Sequence, residues 1–214
     1  MRLVLPKLYV ILDASLITSS ERDCALGLAE AGVRLLQYRN KSASSRKYLE
    51  TSRELAETLR PQGVSFIVND RADVAFLAGA NGVHVGQDDL EVEQARRVLG
   101  GDKLVGVSTH NLEQFGRAAR SSADYIAAGP VFGTSSKANP DPVVGLDFLR
   151  KVRALTNKPI VAIGGITLDR AAAAIEAGAD SVAVISGILN APDPGERAKQ
   201  YLNILDAAKH AAAV

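Results

Sequence analysis

The sequence predicts an α/β protein folded as one (β/α)8 barrel, because eight short apolar runs alternate strictly with eight helical stretches over residues 1–214. Two further observations support the closed barrel. The runs are almost continuously Val, Ile, Leu and Ala, as strands of a parallel sheet buried on both faces must be. No linker, charge block or low-complexity tract divides the chain, so a single domain is expected. An open doubly wound sheet would use five or six such units rather than eight. A barrel of this length, somewhat under the typical ~250 residues, needs short connections.

The first run, 8–12, is closed by Asp13 and followed by helical spacing from 21 to 31, which Gly32 stops. The second run spans 33–39 and leads through Asn40-Lys41 and a serine-rich stretch into a helix over 45–59. The third and fourth runs, 65–68 and 83–85, flank a helical segment at 71–79, making a βαβ unit. Further strands are expected at 104–108, 125–129, 159–163 and 181–185, with helices at 90–99, 112–119, 146–154, 168–177 and 195–212. The one long connection, 130–145, is rich in Gly, Ser, Asn and Pro and suits a mobile loop over the barrel mouth.

Composition narrows the function classes. Apolar residues make up 47% of the chain, charged residues 23%, and the net charge is +1. Bulk attraction to nucleic acid or an anionic membrane is therefore absent, and the basic residues do not form a stripe with aromatics. Cys24 is the only cysteine, so no disulfide can form within the chain. The start of the chain is broken by Pro6 and Lys7 before it could act as a secretory signal, and no apolar run reaches membrane-spanning length. A cytoplasmic location is the expectation.

Residues just after each barrel strand converge on one rim, where barrel enzymes hold their ligands. The third and fourth strands end in Asp70 and in Asp88-Asp89, which sets two carboxylates side by side. Each could cap the helix that follows it. As a pair they would repel unless a cation sat between them, and Mg2+ takes one or two carboxylates and completes its shell with water and phosphate oxygens. Gly164-Gly165 and Ser186-Gly187 follow the seventh and eighth strands, the recurrent phosphate position of this fold; the bland reading makes these glycines tight-turn residues. Arg39, Lys41 and Lys137 add three cations, more than one phosphate requires. One phosphate and one diphosphate are therefore expected in a single cavity. Among the histidines, His84 reads as a packed or tautomer-fixed core residue and His210 lies in the last helix. His110 could touch a ligand, with no Asp or Ser partner placed for a triad. Tyr125 and Phe132 read as packing groups.

An ordered set of motifs resembles the thiamine-phosphate synthase family. The likeness is carried by Gln37-Tyr38-Arg39-Asn40-Lys41, Val68-Asn69-Asp70, Gly82-Val83-His84-Val85-Gly86-Gln87-Asp88-Asp89 and Gly106-Val107-Ser108. It continues in Gly129-Pro130-Val131-Phe132, Thr134-Ser135-Ser136-Lys137, Ile163-Gly164-Gly165-Ile166 and Val184-Ile185-Ser186. The resemblance implies a barrel enzyme that joins hydroxymethylpyrimidine diphosphate to a thiazole phosphate, or its carboxylated form, with release of pyrophosphate. It implies Mg2+ on Asp70 and Asp89. Gln37, Tyr38, Arg39, Asn40, Lys41, Asn69, Ser108 and Lys137 would take the pyrimidine diphosphate, with Arg39, Lys41, Ser108 and Lys137 as the catalytic set. Thr134, Ser135, Ser136, Gly165, Ile185 and Ser186 would take the thiazole phosphate. Ser136 stands where the family favours Thr, which leaves the hydroxyl in place. Small phosphorylated substrates are thus the expected partners, with no nucleic acid and no membrane, and the oligomeric state is not legible. The alternative is a thiazole tautomerase-like or metabolite-sensing barrel; such relatives tend to lack the acidic pair present here. A phosphosugar isomerase or aldolase would need a lysine inside a strand, whereas Lys41 and Lys137 follow strands.

Overall fold

In a computed structural model describing residues 3–134 and 141–208, strand β1 (Leu8–Asp13) is buried along its whole length. It is followed by β2 (Leu35–Arg39), β3 (Ser65–Asn69), β4 (Gly82–Val85), β5 (Leu104–Thr109), β6 (Tyr125–Ala128), β7 (Ile160–Ile163) and β8 (Ser181–Val184). All neighbours are parallel, and β8 pairs with β1, so the sheet closes into a barrel in sequence order. Parallel neighbours need a crossover, and helices supply it: α1 (Glu21–Glu30), α2 (Ser45–Leu59), α3 (Ala72–Leu77), α4 (Val92–Leu99), α5 (Leu112–Arg120), α6 (Gly145–Arg153) and α7 (Leu168–Glu176). After β8 come a single turn, α8 (Ser186–Leu189), and the closing helix α9 (Pro194–Ala207).

Strand alternation divides the apolar side chains into two cores. Leu36, Tyr38, Val68 and Val83 face the helices, while Tyr9, Leu35, Ile67, Tyr125 and Val161 fill the barrel interior. Helix starts follow the side chains. Ser20, Ser44, Asn111 and Asp193 each accept the backbone N–H three residues on, and Glu91 with Gln94 forms a reciprocal cap that starts α4 at Val92, two residues later than its apolar spacing suggests.

The edge where the strands begin carries a repeated clasp. Asn81, Asp124 and Asp180 precede β4, β6 and β8, and their side chains accept the N–H of Phe66, Val105 and Ile160 at 2.9, 2.7 and 2.8 Å. Each returns its own N–H to the carbonyl of that same residue, at 2.8 Å in all three. Arginines lock two of the clasps: Arg96 of α4 reaches Asp124, and Arg153 of α6 reaches Asp180 at 2.6 Å. Arg96 also donates to the Ser122 carbonyl and Arg153 to that of Lys158, so the charges sit inside a closed set of backbone bonds.

Candidate active site

At the opposite edge, Asp70 and Asp89 face each other from the ends of β3 and β4. Neither caps a helix: α3 is capped by Arg71 and α4 by Glu91. Asp70 is the one non-glycine residue among those described with positive φ, at 63°, a conformation that Asp tolerates better than most residues but that still carries local strain. Its N–H donates to the His84 carbonyl at 2.7 Å, tying the end of β3 to β4, and its carboxylate pairs with Lys41. Asp89 accepts the Gly86 N–H at 2.8 Å. Burial raises the Asp89 pKa above the usual carboxylate value and the Asp70 carboxylate beside it adds to the rise, against the lowering effect of the Gly86 N–H. Two facing oxygen donors suit a hard cation. A pair of carboxylates is a donor set that Mg2+ can take when water and phosphate oxygens complete its shell, and among the described residues no group of three or more His, Cys, Asp or Glu could hold a metal.

Gln37 and Arg39 lie on the inner face of β2, and the Arg39 guanidinium is bound by Asp13, a buried carboxylate at the end of β1. Asp13 is fixed in turn by the Ser15 N–H and hydroxyl at 3.0 and 2.6 Å. Sequence reasoning used Asp13 only as a strand end. Its place opposite Arg39 comes from the β1–β2 register, which pairs the two residues directly. Tyr38, one residue out of phase with Gln37, turns its side chain to the helices, where it stacks on Tyr48 at 5.3 Å. Asn40 spends its amide oxygen on Ser42 and Ala43 and its nitrogen on the Tyr38 hydroxyl, which shapes the turn before α2. The side chains of Tyr38 and Asn40 are thus not brought to the cavity. Tyr48 places its hydroxyl 3.0 Å from the carbonyls of both Tyr38 and Asn69, holding the ends of β2 and β3 together. Asn69 and Ser108 line a small cavity of about 80 Å³ with Gln37 and Arg39.

The other half of the mouth is a cavity of about 250 Å³ between β6, β7 and β8. Thr134, Gly165, Ile185 and Ser186 all line it, in keeping with their expected grouping. Gly164 and Gly165 have φ of 96° and 63°. A Cβ on Gly164 would stand 2.5 Å from Pro130 and one on Gly165 2.3 Å from the Gly133 carbonyl oxygen, so here glycine is demanded by packing as well as by backbone conformation. The turn-residue reading holds for both glycines, and both also line the cavity. Ser135, Ser136 and Lys137 lie outside the described residues, as does His210. Arg170 was missing from the expected site, whereas His110 was expected as a residue that could touch a ligand. Arg170 donates to the Gly165 carbonyl at 3.2 Å and stacks over Phe132 at 5.0 Å. His110 lines the larger cavity, holds the Gly129 carbonyl through Nδ1 at 2.6 Å, and has Nε2 3.5 Å from Asp141. The expectation that His110 lacks an acidic partner is corrected: Asp141 arrives from the far end of the 130–145 connection, a contact that no local spacing encodes.

A parallel eight-stranded barrel with facing carboxylates, rim cations and a glycine-built pocket after β7 and β8 defines a phosphate-handling barrel enzyme. The family model described as thiamine monophosphate synthase matches residues 8–188. The chain is 54% identical over 210 residues to a thiamine-phosphate synthase of Koribacter versatilis, covering 95% of this chain and 97% of the relative. It is 45% identical to a thiamine-phosphate synthase of Chloroflexus aurantiacus, covering 91% and 90%. The solved thiamine phosphate pyrophosphorylase of Pyrococcus furiosus superposes with a TM-score of 0.86 at 33% identity, over 94% of this chain and 96% of that one. The chain belongs to the thiamine monophosphate synthase family and is a transferase. Among the described residues no helix is long and apolar enough to cross a membrane.

Proposed function

We propose that this enzyme condenses hydroxymethylpyrimidine diphosphate with a thiazole phosphate, or its carboxylated form, and that Asp70 and Asp89 hold Mg2+ for the diphosphate. The observation that carries the reading is the division of one mouth into two unlike anion sites: carboxylates and cations at the ends of β1 to β4, and a glycine-walled pocket at the ends of β6 to β8.

In the proposed reaction the bond from the pyrimidine methylene carbon to the diphosphate oxygen breaks, the thiazole nitrogen forms a bond to that carbon, and pyrophosphate leaves with the bonding electrons; with the carboxylated form CO2 also leaves, and a proton from water takes its place on the ring carbon. Arg39, Lys41 and Lys137 stabilise the charge growing on the departing pyrophosphate, the kind of electrostatic term that dominates many enzymatic rate enhancements. When bound, Mg2+ would supply further stabilisation of the same charge. Asp13 keeps Arg39 on the rim, and Lys41 exchanges Asp70 for the ligand. Thr134, Gly165 and Ser186, with Ser135 and Ser136, anchor the thiazole through its phosphate, so that the nitrogen meets the methylene carbon in line. The attacking nitrogen carries no proton, so no general base is required.

Incubation of the protein with both precursors and Mg2+, with mass detection of thiamine phosphate, tests the reading. Product formation supports it. Folded protein that forms none, and that binds diphosphate equally well with and without Mg2+ by calorimetry, would favour the tautomerase-like or sensing barrel.

A further inference from the structure

Five polar side chains from five strands lie end to end across the barrel interior. Gln37 donates Nε2–H to the Tyr9 hydroxyl at 2.7 Å, which lies 3.0 Å from the Tyr125 hydroxyl. That hydroxyl is 3.1 Å from Nδ1 of His84, and Nε2 of His84 is 2.9 Å from the Ser108 hydroxyl. Tyr9, Gln37, His84 and Tyr125 are 1%, 2%, 7% and 0% exposed, so the three bonds among them are shielded from bulk water, while the bond from His84 to the half-buried Ser108 lies where the line meets the cavities. Burial pushes both phenols well above their ordinary pKa, so each keeps its proton and donates it once.

An amide N–H only donates, so Tyr9 accepts from Gln37, while the Tyr9–Tyr125 and Tyr125–His84 bonds admit either donor. The direction that spends every proton within the line has Tyr9 giving its proton to Tyr125 and Tyr125 giving its own to Nδ1 of His84. A neutral imidazole that accepts at Nδ1 carries its proton on Nε2 and donates it to the Ser108 oxygen. The Ser108 proton is then turned away from His84, toward the cavities that Ser108 lines. With the opposite direction Ser108 would spend its proton on His84 and show only lone pairs to an anion. Gly106 keeps the line intact, since a Cβ there would stand 2.1 Å from the Tyr125 ring.

We propose that Gln37, Tyr9, Tyr125 and His84 form a positioning relay that fixes Ser108 as a hydrogen-bond donor toward the diphosphate. The relay rests on the assignment of Ser108 to that substrate under the proposed function; Tyr9, Tyr125 and His84 act here through Ser108.

Nitrogen-15 NMR of the full chain labelled at histidine reads the His84 tautomer without any substrate. The expected result is the Nε2–H tautomer in the unaltered protein, with a mixture of tautomers once Tyr125→Phe removes the donor to Nδ1. An Nδ1–H tautomer, or a doubly protonated ring, would overturn the relay. In steady-state assays Tyr9→Phe and Tyr125→Phe should each lower kcat about tenfold while leaving KM for the thiazole phosphate nearly unchanged, a loss equivalent to one hydrogen bond. If Ser108→Ala lowers kcat and both phenylalanine variants leave it intact, the relay is refuted. If Ser108→Ala itself has no effect, the role of Ser108 in the proposed function has failed and the proposed relay falls with it, whatever the tautomer. Tyr9→Phe serves should Tyr125→Phe not fold, and the tautomer of the unaltered chain needs no variant.

Discussion

The two edges of the barrel use the same residue types to opposite ends. Where the strands begin, Asp124 and Asp180 are each held by an arginine and by backbone N–H groups, and those arginines also satisfy neighbouring carbonyls. Where the strands end, Asp70 has a strained backbone and a lysine partner whose side chain is 58% exposed, and Asp89 faces a second carboxylate. A charge enclosed by fixed backbone partners has nothing to gain from a ligand. A charge opposite a like charge, or tied to a flexible exposed ammonium, gains a partner when one arrives. Burial alone would not have told the edges apart, because Asp13 on the ligand edge is more buried than either clasp aspartate. The partners of Asp70 and Asp89 do, whereas Asp13, held by Arg39 and the Ser15 N–H, is tied down as the clasp aspartates are.

The sharpest way to break this contrast is at Asp70. Asp70→Asn or Asp89→Asn should lower kcat on the order of a thousandfold with a melting temperature close to that of the unaltered protein, as steady-state product formation and thermal unfolding would report. A strong chelator should impose the same loss on the unaltered enzyme, reversed by Mg2+. Retained activity in Asp70→Asn would dissolve the distinction. Asp180→Ala should do the reverse: it takes the carboxylate from Arg153, which keeps its carbonyl partners, and the acceptor from the Ile160 N–H, costing about 2–3 kcal/mol in denaturant unfolding, while kcat of the folded enzyme is preserved. Smallest is the exposed pair between Arg117 and Glu113 on α5, where Glu113→Ala should change stability by only about 0.3–0.5 kcal/mol and activity not at all.

The barrel itself was legible because the alternation of apolar runs with helical spacing is local, and every strand forms within about two residues of its expected bounds. Helix ends shifted where a side chain took over, as at Glu91. The pocket-lining group of Thr134, Gly165, Ile185 and Ser186 was legible from strand ends plus family likeness. Partnerships across strands were not. Asp13 with Arg39, His110 with Asp141 and the clasps at Asn81, Asp124 and Asp180 depend on register and on where loops return, and no period in the chain reports either. Tyr38 shows a subtler failure. A motif names five consecutive residues, yet a strand sends alternate side chains to opposite faces, and only the folded parity separates Gln37 and Arg39 from Tyr38. The line from Gln37 to Ser108 was hidden for the same reason, since its members lie far apart in the chain and meet only inside the closed sheet.

The left-handed backbone at Asp70 has an evolutionary consequence. Glycine adopts that conformation at the least cost, so selection for heat resistance alone would favour Asp70→Gly and discard the carboxylate with it. An aspartate kept there would mark a position where survival of the reaction outweighs survival of the fold, and laboratory evolution toward thermostability should drift to glycine once the need for turnover is lifted.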